Sequence, residues 1–379
     1  MKLIYQNFDG LDISFQGAFP KKCLEELEKA KHQAQKDRQD SITSIGNPQV
    51  KVSVGESGAR GGYLYRFDTG LDGEIWFVSK SQKTTNWNIR VSVKSFSLAL
   101  YGYEGVKKRI LDKLVQFGTI GSGSKKGQLT ERISRVDYCF DFEHEGHFNP
   151  TPDLFIAHQR CQKHCYGENV GTYSAGQGDL INTIRVGSMP GRQAVIYNKI
   201  KEIQSNSKQF WWDIWNIEKE NFENEIWRVE IRAGKAELDK WQIKKFSELE
   251  EKIGDVFINI LENIRYVKKS KDKNRSRWEM AEFWKVAIKN IENCLSEYIS
   301  DANRTNIIRD YRFNIENRLK IHILGSVISY TTVTRRDISE LTVVLEEFQN
   351  EIENFSELEF EIIQKKYDKT AEKYEFIGE

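Results

Sequence analysis

Three short runs of this 379-residue chain place acids, arginines and a phenol at strand-like spacing: RVDYCFDF (135–142), QAVIYNK (193–199) and IWRVEIRAG (226–234). Side chains alternate across a strand, so parity sorts them. Arg135, Asp137, Cys139 and Asp141 share one face, and Val136, Tyr138, Phe140 and Phe142 share the other. Arg228, Glu230 and Arg232 likewise oppose Trp227, Val229 and Ile231. Carboxylates projecting from neighbouring strands are hard oxygen ligands suited to Mg²⁺ or Mn²⁺. Such a cation serves as a Lewis acid on a phosphoryl oxygen. Tyr197 ends its apolar run, and Lys199, two residues on, shares its strand face. A phenol with a reference pKa of about 10 needs a cation beside it to attack phosphorus, and Lys199 is placed to supply that charge. Arg185, Arg228 and Arg232 are candidate phosphate clamps. A plain solvent face, with a strand-end tyrosine that packs its ring, would use the same residue types. The concentration of three such strands within about a hundred residues favours a site.

The elements that must position these groups follow from hydrophobic period. GLDISFQG (10–17) reads as a strand, and residues 20–40 as a helix opened by Pro20. QVKVSV, GYLYRFDT, EIWFVSK and WNIRVSVKSF follow as short strands with glycine-rich turns, the pattern of an antiparallel meander. A helix near 104–117, the strand 132–142, a helix at 152–165 and strands at 180–188, 193–199 and 225–234 complete this part. Beyond residue 235 the period becomes helical, at 246–264, 276–295, 304–324 and about 336–374. The expected fold is therefore α+β: a catalytic domain at 1–235 with a mostly antiparallel sheet, then an all-α domain at 236–379.

Bulk composition sets the limits. A hydrophobic content of 39% supports a real core, so wholesale disorder is excluded. No apolar run approaches the roughly 20 residues of a membrane span. Gln6, Asn7 and Asp9 interrupt the opening residues, which do not read as a signal peptide; the expectation is a cytoplasmic protein. The five cysteines are too scattered for a disulfide framework. The net charge of +1 conceals a division. Residues 51–130 hold 13 Lys/Arg against 6 Asp/Glu, and residues 337–379 hold 4 against 13. Between them, RYVKKSKDKNRSR (265–277) holds seven positive residues and one negative. Two basic zones and an acidic tail suit a polyanionic partner.

In order and spacing, RVDYCFDF, IRVGSMPGRQAVIYNKIKE, WRVEIRAG and then RSRWEMAEFWKVAI (275–288) resemble the replication-initiation-factor family. That family includes Rep proteins of rolling-circle plasmids, relaxases of some integrative conjugative elements and initiators of certain filamentous phages. The likeness runs from about residue 10 to 290. It implies a Rep-type (HUH-like) catalytic domain that nicks one strand at an origin with a divalent metal, stays attached through a phosphotyrosine and leaves a free 3′-hydroxyl. The family's Tyr-Asx-Lys tyrosine matches Tyr197, and its strand acids match Asp137 and Glu230, with Asp141 and Glu202 as companions. Origin DNA is the implied partner, together with a host helicase and a second copy of the chain. Lys268, Lys269, Lys271, Lys273, Arg275 and Arg277 would add salt-dependent phosphate contacts. Two rival readings are a nuclease that activates water instead of tyrosine, and a non-catalytic origin-binding repressor.

Other signals are weaker. The loop GTIGSGSKKGQ lacks the order and leading strand of a phosphate-binding P-loop. His144 and His147 sit at a strand end and read as loop histidines. His158, Cys161, His164 and Cys165 lie within one predicted helix, which rarely supplies four tetrahedral ligands. QFWWDIWN (209–216) offers indoles for base stacking or, equally, for burial.

Overall fold

A computed structural model describes residues 1–121, 129–157, 172–177, 180–206, 208–293, 304–358 and 360–375. The strands are β1 (Lys2–Gln16), β2 (Ser41–Ile45), β3 (Val50–Val54), β4 (Tyr65–Asp68), β5 (Glu74–Val78), β6 (Ile89–Val93), β7 (Thr130–His144), β8 (Phe155–Ala157), β9 (Thr172–Gln177), β10 (Leu180–Gly187), β11 (Arg192–Asn198), β12 (Glu225–Gly234) and β13 (Ile264–Tyr266). The helices are α1 (Lys21–Asp37), α2 (Ser95–Gln116), α3 (Lys199–Ser205), α4 (Trp211–Trp215), α5 (Lys235–Lys240), α6 (Phe246–Asn263), α7 (Glu282–Asn293), α8 (Arg304–Val333), α9 (Leu341–Leu358) and α10 (Phe360–Glu375).

Eleven strands form one sheet in the order β2-β3-β4-β5-β6-β1-β7-β12-β11-β10-β9. Every adjacent pair is antiparallel. The two long strands β1 and β7 run side by side at its centre. One face of the sheet is apolar throughout. Phe8, Ile13, Val91, Trp76, Val136, Tyr138, Phe140, Ile196, Val229 and Ile231 are buried there in a single core. Helices cover that face. Leu24 and Leu27 of α1, Val106 and Ile110 of α2, and Val256, Phe257 and Ile260 of α6 recur at three- and four-residue spacing and enter the same core. The opposite face carries the polar residues.

Several boundaries differ from the sequence reading. β1 begins at Lys2 because Lys2–Phe8 pair along β7 and the polar Asn7 is buried with its amide donating to the Leu98 carbonyl at 3.1 Å. α2 begins at Ser95 and turns at Gly102, whose φ of 64° a side chain would strain. The helix expected at 152–165 opens instead as a single 3₁₀ turn, Pro152–Leu154, and then β8. β8 pairs with β13 in a separate two-stranded sheet. Beyond residue 235 the chain enters helices whose apolar residues share the sheet's core. Phe246, Leu249, Phe283 and Trp284 pack with the sheet's own residues, so α6 and α7 form the layer that covers it. Among the described residues, no helix is long and apolar enough to cross a membrane.

Candidate active site

The polar face of the sheet sinks into a cleft of about 390 Å³ where β1, β7, β12, β11 and β10 meet. Register brings the groups together. Arg232 lies opposite Asp137, and Glu230 opposite Cys139, across β7 and β12. Val195 lies opposite Glu230, and Tyr197 opposite Arg228, across β11 and β12. On β10, Arg185 stands opposite Val195. Asp137, Glu230, Tyr197, Lys199, Glu202, Arg185 and Arg232 all line the cleft, with Arg135 and Lys208.

Local sequence explains how Lys199 and Glu202 reach it. Asn198 ends β11 and caps α3, accepting a hydrogen bond from the Lys201 amide at 3.1 Å. The chain turns over the cleft there, so Lys199 is the first residue of a helix and not the last of a strand. Its Nζ lies 2.8 Å from Glu202 Oε2 and 5.6 Å from the centre of the Tyr197 ring.

Burial pushes the Asp137 carboxyl up to about 7, and the Glu230 charge adds to the effect against the pull of Arg135. Arg135 grips Asp137 at 3.0 and 2.5 Å, and Arg232 Nε lies 2.6 Å from Glu230 Oε1. The Tyr197 phenol is 9% exposed. Burial, then the Glu230 charge, holds its pKa well above the ordinary phenol value. Burial also lowers the Lys199 ammonium, and the Arg228 charge assists. The Glu202 carboxyl is also lowered, to about 2, because Lys199 and Lys208 outweigh its burial.

The shift at Asp137 has a definite sign. Between about pH 4 and 7 the folded chain holds a proton there that the unfolded chain releases. Its stabilising contribution is full at low pH and is lost as pH rises through about 7. Asp137→Asn is expected to remove this part of the pH dependence of Tm, measured by thermal melting across that range.

Not every expected residue reaches the cleft. Asp141 and Arg228 are fully buried beneath it. Arg228 Nε and Nη2 meet the two Asp141 oxygens at 2.6 and 2.7 Å, and Trp215 Nε1 donates to Asp141 Oδ2 at 2.8 Å. Asp141 therefore has no oxygen facing a ligand, and the Arg228 guanidinium is spent inside the fold, not on phosphate. Glu202 reaches the cleft, but both its oxygens are engaged, by Lys199 and Lys208 at 2.8 Å each. The tryptophans of 209–216 are buried. Trp211 packs against Arg228 and Lys199, 4.1 and 4.5 Å from its ring centre, so these rings cover Arg228 and border the site. Lys199 was expected to ease ionisation of the phenol, yet its charge is turned to Glu202.

The basic run 268–277 is exposed and does not line the cleft. Lys268 pairs with Glu282 at 2.7 Å, and Arg277 approaches Asp272 at 4.0 Å. Arg275 donates to the Asp153 and Phe155 carbonyls. Lys269, Lys271 and Lys273 make no ion pair among the described residues. His147 bonds Glu225 at 2.8 Å. His158, Cys161, His164 and Cys165, and most of the glycine-rich loop (122–128), lie outside the described residues.

The sequence reading missed Asp9 and Gly10. A β-bulge between Phe8 and Gly10 inserts Asp9 as an extra residue and turns its carboxylate into the cleft, 2.7 Å from Arg228 Nη1. Burial alone would raise this carboxyl, but Arg228, Lys199 and Lys208 outweigh it and hold it below its ordinary value. Gly10 lies opposite Asp137, where a Cβ would come within 2.9 Å of Oδ2. The dipeptide Asp-Gly inside a strand was the available signal, since glycine there marks a bulge or a close approach. Gly10→Ala should push Asp137 from its position and destabilise the fold by about 1–3 kcal/mol, measured by chemical denaturation.

Among the described residues, no three His, Cys, Asp or Glu side chains stand close enough to hold a metal ion by themselves. No family model and no curated protein matches the chain. Among solved structures, the chain is similar to a rolling-circle replication initiator protein from Geobacillus stearothermophilus. The TM-score is 0.40 at 15% identity, covering 76% of this chain and 97% of that one. A likeness at that level assigns no residue of this chain a role.

Proposed function

We propose that this protein is a divalent-metal-dependent DNA nicking and closing enzyme, acting as a rolling-circle replication initiator or relaxase through Tyr197. One observation carries the reading: a buried phenol opens onto the same cleft as two acids from adjacent strands, and cationic side chains surround all three. Guanidinium and ammonium groups around a ligand-sized cleft suit phosphate.

The donor set suits Mg²⁺ or Mn²⁺ in kind, because Asp137 and Glu230 offer only hard oxygens. Burial, with the Glu230 charge adding to it, raises Asp137 to about 7, and the Glu230 part is what a cation would relieve. Mg²⁺ commonly takes one or two carboxylates and completes its shell with water and phosphate oxygens. Asp137 and Glu230 would hold the ion, with Arg135 and Arg232 moving to the phosphate. When bound, it would supply Lewis-acid stabilisation of phosphate charge and lower the phenol pKa.

The chain's own residues then have defined tasks. The Tyr197 oxygen attacks phosphorus, its proton passes to Glu230, and the bond to the 3′-oxygen breaks. The leaving 3′-oxygen takes its proton from solvent, because Asp137, once it holds the ion, carries none. Arg185 and Arg232 hold the phosphate, and Lys199 with Glu202 packs the approach to the ring. The phosphotyrosine ester keeps the phosphodiester linkage available, so reversal religates the strand.

The test uses a 3′-end-labelled single strand carrying the inverted repeat nearest the gene, incubated with protein and Mn²⁺ and then denatured. Label retained on protein, and lost with chelator, is the expected result. A cut strand with no label on protein would assign the chemistry to activated water. An uncut but bound strand would make the protein a repressor.

A further inference from the structure

Beyond the cleft, the polar face of the sheet continues across β6, β5 and β4. Register defines two cross-strand rows. The nearer row runs Arg135, Asp12, Ser92, Ile75, Asp68, and its first three members line the cleft. The next row, two residues along β1, β6, β5 and β4 and three along β7, where the register shifts at a bulge, lies about 7 Å further and runs Arg132, Ser14, Arg90, Phe77, Arg66.

This second row is cationic and holds no acid. Arg132 is committed to Asp239 at 2.8 Å. Arg66 and Arg90 make no ion pair among the described residues. In the nearer row, Asp68 is neutralised by Lys94 at 2.6 Å. The Arg90 guanidinium covers aromatic carbon, 4.0 Å from the centre of the buried Phe77 ring and 5.2 Å from that of Tyr63. Tyr63 arrives from the loop at 55–64, which bridges back on itself at Ala59 and Tyr63.

A guanidinium held this way keeps its charge while offering a planar face. Unpaired bases stack on such planes and on aromatic rings, and phosphates seek the charge. Arg66 stands two strand spacings from Arg90, roughly 10 Å. We propose that this row, Arg90 with Phe77, Tyr63 and Arg66, is a track for single-stranded DNA that continues the cleft, holding the nucleotides that flank the reacting phosphate. The occupant is a single strand because the cleft feeding the track is of ligand size and the platform is built for exposed bases, which a duplex does not present. The assignment of the strand's reacting phosphate rests on the reading of Tyr197 given above.

The test is fluorescence anisotropy with the full-length protein and labelled oligothymidine of about four and about twelve nucleotides, a range set by known strand-binding folds. The paired variant Arg66→Gln/Arg90→Gln should weaken the longer strand about ten-fold and the shorter one less than two-fold. Its salt slope should fall by about 1.4, or 0.7 per phosphate contact. Arg90→Lys keeps the charge but not the plane, and should recover only part of the loss. Melting curves confirm folding, and Arg66→Gln alone, which leaves the stacked guanidinium in place, should weaken the longer strand in the same direction. Wild-type affinity in the paired variant, equal loss for both lengths, or equal loss for duplex DNA would overturn the track. If wild-type protein forms a tyrosyl adduct while the paired variant binds as wild type does, the track alone fails. If the arginines matter for the longer strand but no adduct forms, the track stands and the nicking reading fails.

Discussion

Tyr197→Phe is expected to abolish covalent capture of the DNA strand while leaving the fold and strand binding intact. Phenylalanine keeps the ring that packs on β11 below Lys199, so the substitution removes little more than one oxygen. If that oxygen is the nucleophile, the rate of adduct formation should fall by at least about 10³-fold, the order seen when a nucleophile is deleted. The buried phenol starts with a raised pKa, so the wild-type reaction should rise steeply with Mn²⁺, and the variant should stay silent at every concentration. Denaturing gels with labelled strand measure the first effect. Anisotropy with the same strand, changed by less than about two-fold because only one oxygen is lost and the ring stays, shows that binding survives.

The second large effect is structural. Arg228→Leu should destabilise the protein by about 3–5 kcal/mol, the usual consequence of removing one partner from a buried pair. Arg228 and Asp141 are both fully buried and share two hydrogen bonds. The variant would leave the Asp141 charge with only the Trp215 N–H inside the fold. Asp9 would also lose its closest cation and relax away from the cleft. The double variant Arg228→Leu/Asp141→Leu should be less destabilised than the sum of its parts, because it buries no orphan charge. A denaturation cycle on the four proteins measures this coupling. Simple additivity would mean that the pair does not act as a unit.

The behaviour of Arg228 and Asp141 also shows where sequence reading stops. Parity put Asp137, Asp141, Arg228, Glu230 and Arg232 on one face of the sheet, and they are on one face. Alternation says which side a residue takes, but not what lies above it. The tryptophans of α4 close over Asp141 and Arg228 and leave the buried Asp137 and Glu230 lining the cleft, an outcome decided by packing between segments about seventy residues apart. Lys199 was placed on the Tyr197 face by strand parity and arrived there as the first residue of a helix, because Asn198 can both end a strand and cap a helix. Asp9 was hidden because one extra residue at a bulge reverses parity locally. α6 and α7 were legible as helices from their apolar spacing. Their membership of the sheet's own core was not, since helical period shows that a face must be covered without naming its cover.

The central claim is that the oxygen at position 197 becomes bonded to phosphorus, and peptide mass spectrometry of the denatured, nuclease-trimmed adduct tests it most directly. The peptide containing Tyr197 should carry the added nucleotide 5′-phosphate when Mn²⁺ is present, and should be unmodified after incubation with chelator. A nucleotide on any other residue, or a cleaved strand with every peptide unmodified, would contradict it.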